Sequence, residues 1–318
     1  MEELTTVKLA SRKRRFAAFA VDMILISTIG YLSSFLFENF YMKLGNYGKI
    51  IGAAAVLIYF GIFDSKIGKG QSIGKKLLKI KVVNKNSECI SVLNGFIRSL
   101  WLFTVTLFNG FSLNNSKFIP IIIIIGTILF SIIFGEMYFF IFNKKTIQSL
   151  HDLYSNTFVV STASEGEIEY KNSRKVLCCS AIIPLLILTL TICVSARTKN
   201  TFLGEYLRII DLIQEDIPVH QTTITKNFST VKSTSGTTRQ NYILLNTYKN
   251  NKSDDDKEIA VRIAQKAFEN NFAINDDEIL SIVISSGFNI GIASKNKNQR
   301  FNGTPAQWKY EIEKADNL

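Results

Sequence analysis

The apolar residues of the chain fall mainly into five stretches before residue 197, and the residues after that point contain no stretch of comparable length. A helix needs about 20 predominantly apolar residues to cross the hydrocarbon core of a bilayer. Residues 16–37 and 118–142 meet this length with one charged residue each, and residues 176–196 form a third long apolar run. These three segments are therefore predicted to span a membrane.

Two shorter apolar segments, at residues 50–63 and 99–113, lie between the first two long ones, and the second can begin earlier, which gives a predicted span at 94–113. Segments with an apolar core of about 14 residues also fit interfacial or re-entrant helices. Charge favours spans, because a failure of both segments to cross would leave the lysine-rich residues 64–93 outside, against the positive-inside tendency. With five spans and a cytoplasmic N-terminus, 18 of the 21 Lys and Arg residues before position 197 lie on the cytoplasmic side.

The pattern divides the chain into four parts: a membrane domain at 1–164, a cytoplasmic linker at 165–175, a fifth transmembrane helix at 176–196 and an extracytoplasmic domain at 197–318. The predicted fold class is an α-helical membrane bundle of about five spans followed by a small α+β extracytoplasmic domain.

Within the external domain, apolar residues at helical spacing predict three helices, at 201–215, 253–270 and 307–314. Alternation and a high content of Thr, Val and Ile predict strands: two within 220–248, then 278–286 and 288–294. Gly287 separates the last two, and the polar residues 295–303 are predicted to form an exposed loop.

The basic charge belongs to the membrane part, since residues 1–196 hold 21 basic and 11 acidic residues and the remainder holds 16 and 15. Nucleic-acid binding would need a basic soluble patch, which the external domain lacks. The four cysteines all precede the external domain, and the two histidines, His151 and His220, lie far apart. We therefore predict no disulfide framework, no metal site and no cofactor. The external domain also lacks a nucleophile–base pair, so we predict a partner-binding or sensing module and not an enzyme.

Three charged residues lie within the predicted spans: Asp22, Arg98 and Glu136. Charged residues inside a membrane are costly and are usually functional or paired. Asp22 and Glu136 each lie six residues from the cytoplasmic end of their segment, which places both about 9 Å from the membrane edge. Arg98 enters from the same side, so we predict one charged cluster. Whether Asp22 is functional or only holds helices together stays open.

The cytoplasmic loop at residues 64–93 carries lysines between apolar residues at helical spacing: Lys75, Lys76 and Lys79. This pattern predicts a short amphipathic helix on the membrane surface, although residues 79–83 fit a strand equally well. Contact with anionic lipid head groups is one interpretation of the lysines. Ordinary positive-inside bias is the other.

Three segments of the chain resemble the RDD family of bacterial membrane proteins and together cover about residues 8–162. The first joins Arg15 to Asp22 at the start of the first span, the second is the Gly- and Lys-bearing stretch 70–83, and the third ends in Asp152.

The resemblance implies that Arg15, Asp22 and Asp152 correspond to the arginine and two aspartates that give the family its name. Members often have arginines shortly before the second aspartate, where this chain has Lys144 and Lys145. Lysine lacks the forked geometry of arginine, so a role that needs a guanidinium is not expected there. The resemblance further implies a location in the bacterial plasma (inner) membrane and transport of an unspecified ligand.

The leading functional hypothesis is a transporter, or a transporter subunit, for a small ion or solute. Five short spans make a small bundle, so a transport pathway is expected to need a homo-oligomer in the lipid bilayer. The alternative is a non-transporting anchor, or an assembly or sensing factor, in which residues 197–318 bind an envelope partner.

Overall fold

The computed structural model describes residues 7–108, 119–144, 146–163, 168, 202–233 and 236–317. The N-terminal part is helical, with helices α1 (Arg12–Leu44), α2 (Lys49–Phe63), α3 (Ile73–Leu77), α4 (Val92–Phe108), α5 (Ile119–Phe142) and α6 (Leu150–Tyr154). Two short strands, β1 (Ile80–Val83) and β2 (Phe158–Ser161), complete it.

Two described helices are long and apolar enough to cross a membrane: α1, and α5 from Ile124 to Phe142. Helices α2 and α4 are apolar but shorter. Residues 109–113 of the predicted third span and the whole of the predicted fifth span, 176–196, lie outside the described residues. Helix α1 is longer than predicted, since it begins after its cap residue Ser11 and continues past a non-helical Phe37 to Leu44.

Helices α2 and α4 cross at a pair of glycines. A Cβ on Gly95 would lie 2.2 Å from the carbonyl oxygen of Gly61, and a Cβ on Gly61 would lie 2.6 Å from the ring of Phe96. Small residues at such a crossing let the two backbones approach closely. This close packing brings Arg98, one turn after Gly95, towards the end of α2.

At the Arg12 end of α1, strands β1 and β2 pair antiparallel, from Ile80 opposite Ser161 to Val83 opposite Phe158. Leu9 bridges to the same small sheet. The lysine-bearing loop, the N-terminus and the segment after α6 are thereby joined into one unit. Of the two predictions for residues 79–83, the strand is confirmed, and the amphipathic helix is reduced to the five residues of α3.

The C-terminal part is a sheet-rich domain built from α7 (Phe202–Asp216), β3 (Val219–Ser233), β4 (Gly236–Lys249), α8 (Asp256–Glu269), β5 (Ile279–Asn289), β6 (Ser294–Gly303) and α9 (Pro305–Asp316). The strand order is β3-β4-β5-β6, and only the β4–β5 pair is parallel. Helix α8 is the crossover that a parallel pair requires. The apolar faces of α7 and α8 cover the sheet, with Ile213, Ile263 and Ile282 fully buried.

Two sequence predictions for this domain are wrong. Strand β5 runs through Gly287 without a break, and residues 294–303 form strand β6 instead of a loop. Gly287 has a φ of +149°, and a Cβ there would lie 1.8 Å from the carbonyl oxygen of Lys295. The glycine therefore permits close strand pairing and does not end the strand. Strand β6 is an edge strand held by backbone hydrogen bonds, so its nearly all-polar sequence carries no alternation.

Candidate functional site

The Arg12 end of the bundle contains a buried ion pair between two of the residues singled out by the family resemblance. The side chain of Arg15 reaches from the first turn of α1 to the carboxylate of Asp152 on α6, and their side chains are 8% and 0% exposed. Arg15 also donates to Ser149 Oγ at 3.1 Å and to the carbonyl oxygen of Ile147. Its guanidinium lies 5.7 Å from the centre of the Phe140 ring. Arg15 thus ties α1 to the segment that follows α5.

Asp152 is held in place by its own helix start as well. Its Oδ2, the oxygen that pairs with Arg15, also accepts the Ser149 N–H at 3.0 Å, which forms a capping box at the start of α6. Burial alone would raise the pKa of Asp152, but the nearby charges of Arg15 and Arg98 outweigh it and hold that pKa well below the ordinary value of 3.8. Asp152 is therefore an ionised carboxylate at neutral pH.

Arg98 bridges two aspartates from different segments. Its Nη2 donates to Asp152 Oδ1 at 2.6 Å, and its Nη1 donates to Asp64 at the end of α2. Asp64 in turn pairs with the ammonium group of Lys75 on α3. The result is a chain of alternating charges, which we call the ionic chain: Lys75, Asp64, Arg98, Asp152 and Arg15.

Lys75, at one end of this chain, is less exposed than the two neighbouring lysines of the same loop. Lys75 is 12% exposed and points inward to Asp64, whereas Lys76 and Lys79 are exposed. Burial lowers the pKa of Lys75, and the Asp64 carboxylate offsets this effect only in part. Of the three lysines interpreted as contacts to lipid head groups, Lys75 therefore forms an ion pair with Asp64 inside the protein instead.

Glu136 and His151 form a second buried pair that joins the ionic chain. His151 Nδ1 lies 2.8 Å from Glu136 Oε2, and the His151 N–H donates to Glu136 Oε1 at 2.9 Å. Arg98 Nη2 lies 3.2 Å from His151 Nε2. A guanidinium can only donate, so a neutral ring would accept at Nε2 and would carry its proton on Nδ1, facing Glu136. Trp101 stacks on this ring at 5.4 Å between centres.

Nε2 of His151 also lies 3.4 Å from Asp152 Oδ1. The ring therefore approaches both Arg98 and Asp152 through the same nitrogen.

Asp22 is fully buried, and its described partners are neutral donors. Its carboxylate accepts from Tyr59 Oη at 2.7 Å, from Ser72 Oγ at 2.5 Å and from the Gly74 N–H at 2.7 Å. A Cβ on Gly74 would lie 2.1 Å from the carbonyl oxygen of Ala18. Asp22 therefore holds the start of α3 directly against α1.

The structure gives the three span residues other partners than those predicted. Arg98 and Glu136 both contact His151, but Arg98 forms its ion pairs with Asp64 and Asp152, and the hydrogen bonds of Asp22 go to neither. Sequence reasoning passed over Asp64 and His151 as site residues. The available signals were that Asp64 directly ends an apolar segment and that His151 adjoins Asp152.

A cavity of about 500 Å³ lies between α1, α4 and α5 at this end of the bundle. Its polar side is formed by members of the ionic chain together with Glu136 and His151, and its other walls are apolar, among them Phe16, Phe19, Phe60, Leu102, Ile133 and Met137. Among the described residues, no group of three or more His, Cys, Asp and Glu side chains fits a metal ion.

Residues 9–156 match the RDD family, and this range contains every member of the ionic chain, Glu136, His151 and Asp22. The C-terminal sheet domain lies outside the matched range. No curated protein and no solved structure matches the chain.

Proposed function

We propose, from the RDD family membership of residues 9–156, that this membrane protein transports a small ion or solute, alone or as a subunit of a transporter. The observation that carries the proposal is the cavity of about 500 Å³ with Arg98, Glu136 and His151 on its wall. A charged side chain at the centre of a membrane helix costs about 3 kcal/mol on insertion scales, and such residues commonly mark ion and proton pathways.

The polar side of the cavity has donors and acceptors for an ion or a polar solute. Arg98 lies on the wall together with the Glu136–His151 pair, 3.2 Å from His151 Nε2. A solute with an acceptor group would bind the guanidinium, and a cation would bind the Glu136 carboxylate.

The proposed topology has the N-terminus in the cytoplasm and residue 318 outside the bacterial plasma membrane. The distribution of basic residues supports it, and so does the position of the sheet domain. The domain contacts the Leu44 end of α1, whereas β1 and β2 lie at the Arg12 end. Reporter fusions at the C-terminus that work only outside the cytoplasm are expected to be active, and activity of a cytoplasm-only reporter there would refute five spans.

Transport can be tested with the purified full-length protein in lipid vesicles. These vesicles are expected to show counterflow of protons or sodium ions across the membrane, and empty vesicles are expected to show none. Replacing Glu136 by Gln keeps an acceptor for the His151 N–H but removes the charge, and we expect the flux to fall about tenfold or more. The matched control is Glu88→Gln, because Glu88 is exposed and lies outside the cavity. Equal flux in both variants would exclude the cavity as the pathway.

A second candidate is a non-transporting anchor or assembly factor whose external domain binds an envelope partner. The observation that favours it is the direct packing of the sheet domain on the bundle, where Phe288 and Ile290 are buried against Tyr41 and Met42. Deleting residues 197–318 separates the two candidates. An anchor loses its function, whereas a transporter formed by the RDD domain retains flux. A homo-oligomer belongs to the first candidate, and affinity purification from gently solubilised membranes would identify a partner for the second.

A further inference from the structure

The turn between β5 and β6 enters the helical bundle from the Leu44 end. We call residues 288–293 the tip. Its Ile292 packs in a cluster with Ile26 of α1, Val56 and Phe60 of α2, and Leu102 of α4. Ile292 also lies against Gly30, which is 14 residues before the last residue of α1. At 1.5 Å per residue the tip therefore reaches about 20 Å along the helix, close to the middle of the predicted first span.

Glycines on both sides allow this insertion. A Cβ on Gly52 of α2 would lie 1.9 Å from the carbonyl oxygen of Ile290, so the backbone of the tip rests directly on the helix. Gly291 has a φ of +81°, which favours glycine, and a Cβ there would lie 2.8 Å from the Thr106 side chain. The backbone of the tip therefore fits closely against the surfaces of α2 at Gly52 and of α4 at Thr106.

The tip also satisfies its own polar backbone groups. The Ile290 N–H donates to the Ala293 carbonyl oxygen at 3.0 Å, and the Gly291 N–H donates to Asn289 Oδ1 at 2.8 Å. Non-helical backbone at membrane depth is tolerated only where protein buries it or water lines it. Ile290 is 1% exposed and residues 291–293 are half-buried, so protein covers most of this turn.

The tip stands directly on the outer side of the cavity. Phe60 and Leu102 line the cavity, and the same two side chains belong to the cluster on which Ile292 packs. Two further contacts at the outer end are exposed ion pairs, from Lys295 and Lys252 to Glu38. Exposed pairs contribute little to stability, so they do not fix the tip in place.

We propose that the tip is an outer plug: it closes the Leu44 side of the cavity, and its withdrawal with the sheet domain opens that side. This proposal rests on the proposed transport function and adds the outer gate to it. Strand β5 lies inside the sheet, paired with both β4 and β6. A movement of the external domain is therefore transmitted directly to the tip.

A disulfide can test the position of the tip independently of transport. A Cβ on Gly30 would lie 3.4 Å from the Cβ of Ala293, close to the spacing of about 3.8 Å in disulfides. In the full-length protein with its four natural cysteines replaced by serine, Gly30→Cys with Ala293→Cys is expected to cross-link under mild oxidation in membranes. The readout is loss of polyethylene glycol–maleimide labelling after denaturation, restored by reductant.

The matched control pairs Ala293→Cys with Gly126→Cys, because a Cβ on Gly126 meets no described atom within 4 Å. This pair is expected not to cross-link. A second comparison uses the packing itself: Gly52→Ala is expected to lower the cross-linking yield of the Gly30–Ala293 pair about tenfold. Gly126→Ala makes the same chemical change in a helix and is expected to leave the yield unchanged.

In vesicles, oxidation of the Gly30–Ala293 pair is expected to stop the proton- or sodium-driven counterflow, and reductant is expected to restore it. Failure of the pair to cross-link would overturn the plug, whatever the transport result. Cross-linking with the same counterflow before and after reduction would also overturn the plug and would leave the transport function standing. Absence of counterflow in wild-type vesicles would overturn the transport function, and the gate with it.

Discussion

Replacement of Arg98 by Met should destabilise the membrane domain strongly, because Arg98 joins two buried acids. Its side chain is 5% exposed, and Asp64 and Asp152 are 2% and 0% exposed. Met preserves much of the apolar volume of the arginine stem, so the change removes mainly the charge. Breaking a buried ion pair from one side costs about 3–5 kcal/mol, since it leaves an uncompensated charge.

The magnitude follows from what each acid retains. Asp64 keeps Lys75, and Asp152 keeps Arg15, so neither acid is left without a cation. We therefore expect a loss of about 3 kcal/mol in the free energy of unfolding, at the lower end of that range. Arg98→Lys keeps the charge, but one ammonium does not reproduce the fork that reaches both acids. It should lose about half as much.

The assay is a denaturant titration of the purified protein in detergent, with helical circular dichroism as the signal. Arg300→Met on the exposed face of β6 is the matched control and should change the free energy of unfolding by less than about 0.5 kcal/mol. Adding Asp64→Asn to Arg98→Met removes both partners of one ion pair, so the double variant should lose less stability than the sum of the two single losses. If the two changes simply add, the ion pair between Arg98 and Asp64 does not carry the stability assigned to it.

Three further predictions concern other parts of the chain. Asp22→Asn should cost less stability than Arg98→Ala, because an amide oxygen can still accept from neutral donors; a larger loss in the same titration would show that the charge of Asp22 is needed. In the C-terminal sheet domain, burial by itself raises the pKa of Glu278, but hydrogen bonds from Lys226 and from the Asn275 N–H outweigh it and lower that pKa below 4.5. Its stabilising contribution is therefore present above pH 4.5 and lost as the pH falls through the lowered pKa; Glu278→Gln should flatten this acid dependence in thermal unfolding, and an unchanged profile would contradict it. Residues 200–318 expressed alone should fold, because their main apolar cluster is formed entirely within the domain; a collapsed amide spectrum would show that the bundle is required.

The C-terminal sheet domain shows where sequence patterns succeed and where they fail. Helices α7, α8 and α9 were predicted within a few residues, because each buries one apolar face and its sequence repeats that face. Strand β6 was missed because its side chains are almost all exposed and only its backbone is paired. The same limit explains why the sequence pattern predicts that the strand ends at Gly287, although β5 continues through it. The approach of a neighbouring strand, which explains a glycine inside a strand, does not show in the strand's own sequence.

In the membrane part, the sequence by itself determined the class of protein and the position of the main apolar helices. Bilayer thickness sets a length of continuous apolar sequence, and this requirement is local along the chain. The resemblance also singled out Arg15 and Asp152, and both lie within residues 9–156, which match the RDD family. It did not reveal that these two residues pair with each other.

Only the tertiary structure decided which charges meet. Arg98 finds Asp64 and Asp152 at separations of 34 and 54 positions, because glycines let α2 and α4 cross closely and the capping box orients α6. The insertion of the tip depends in the same way on two distant segments, since Gly52 and Ile290 meet only after both domains have folded. The sequence of a segment shows which of its side chains must be buried. Which residues of two distant segments contact each other depends on the packing of all segments in the folded protein.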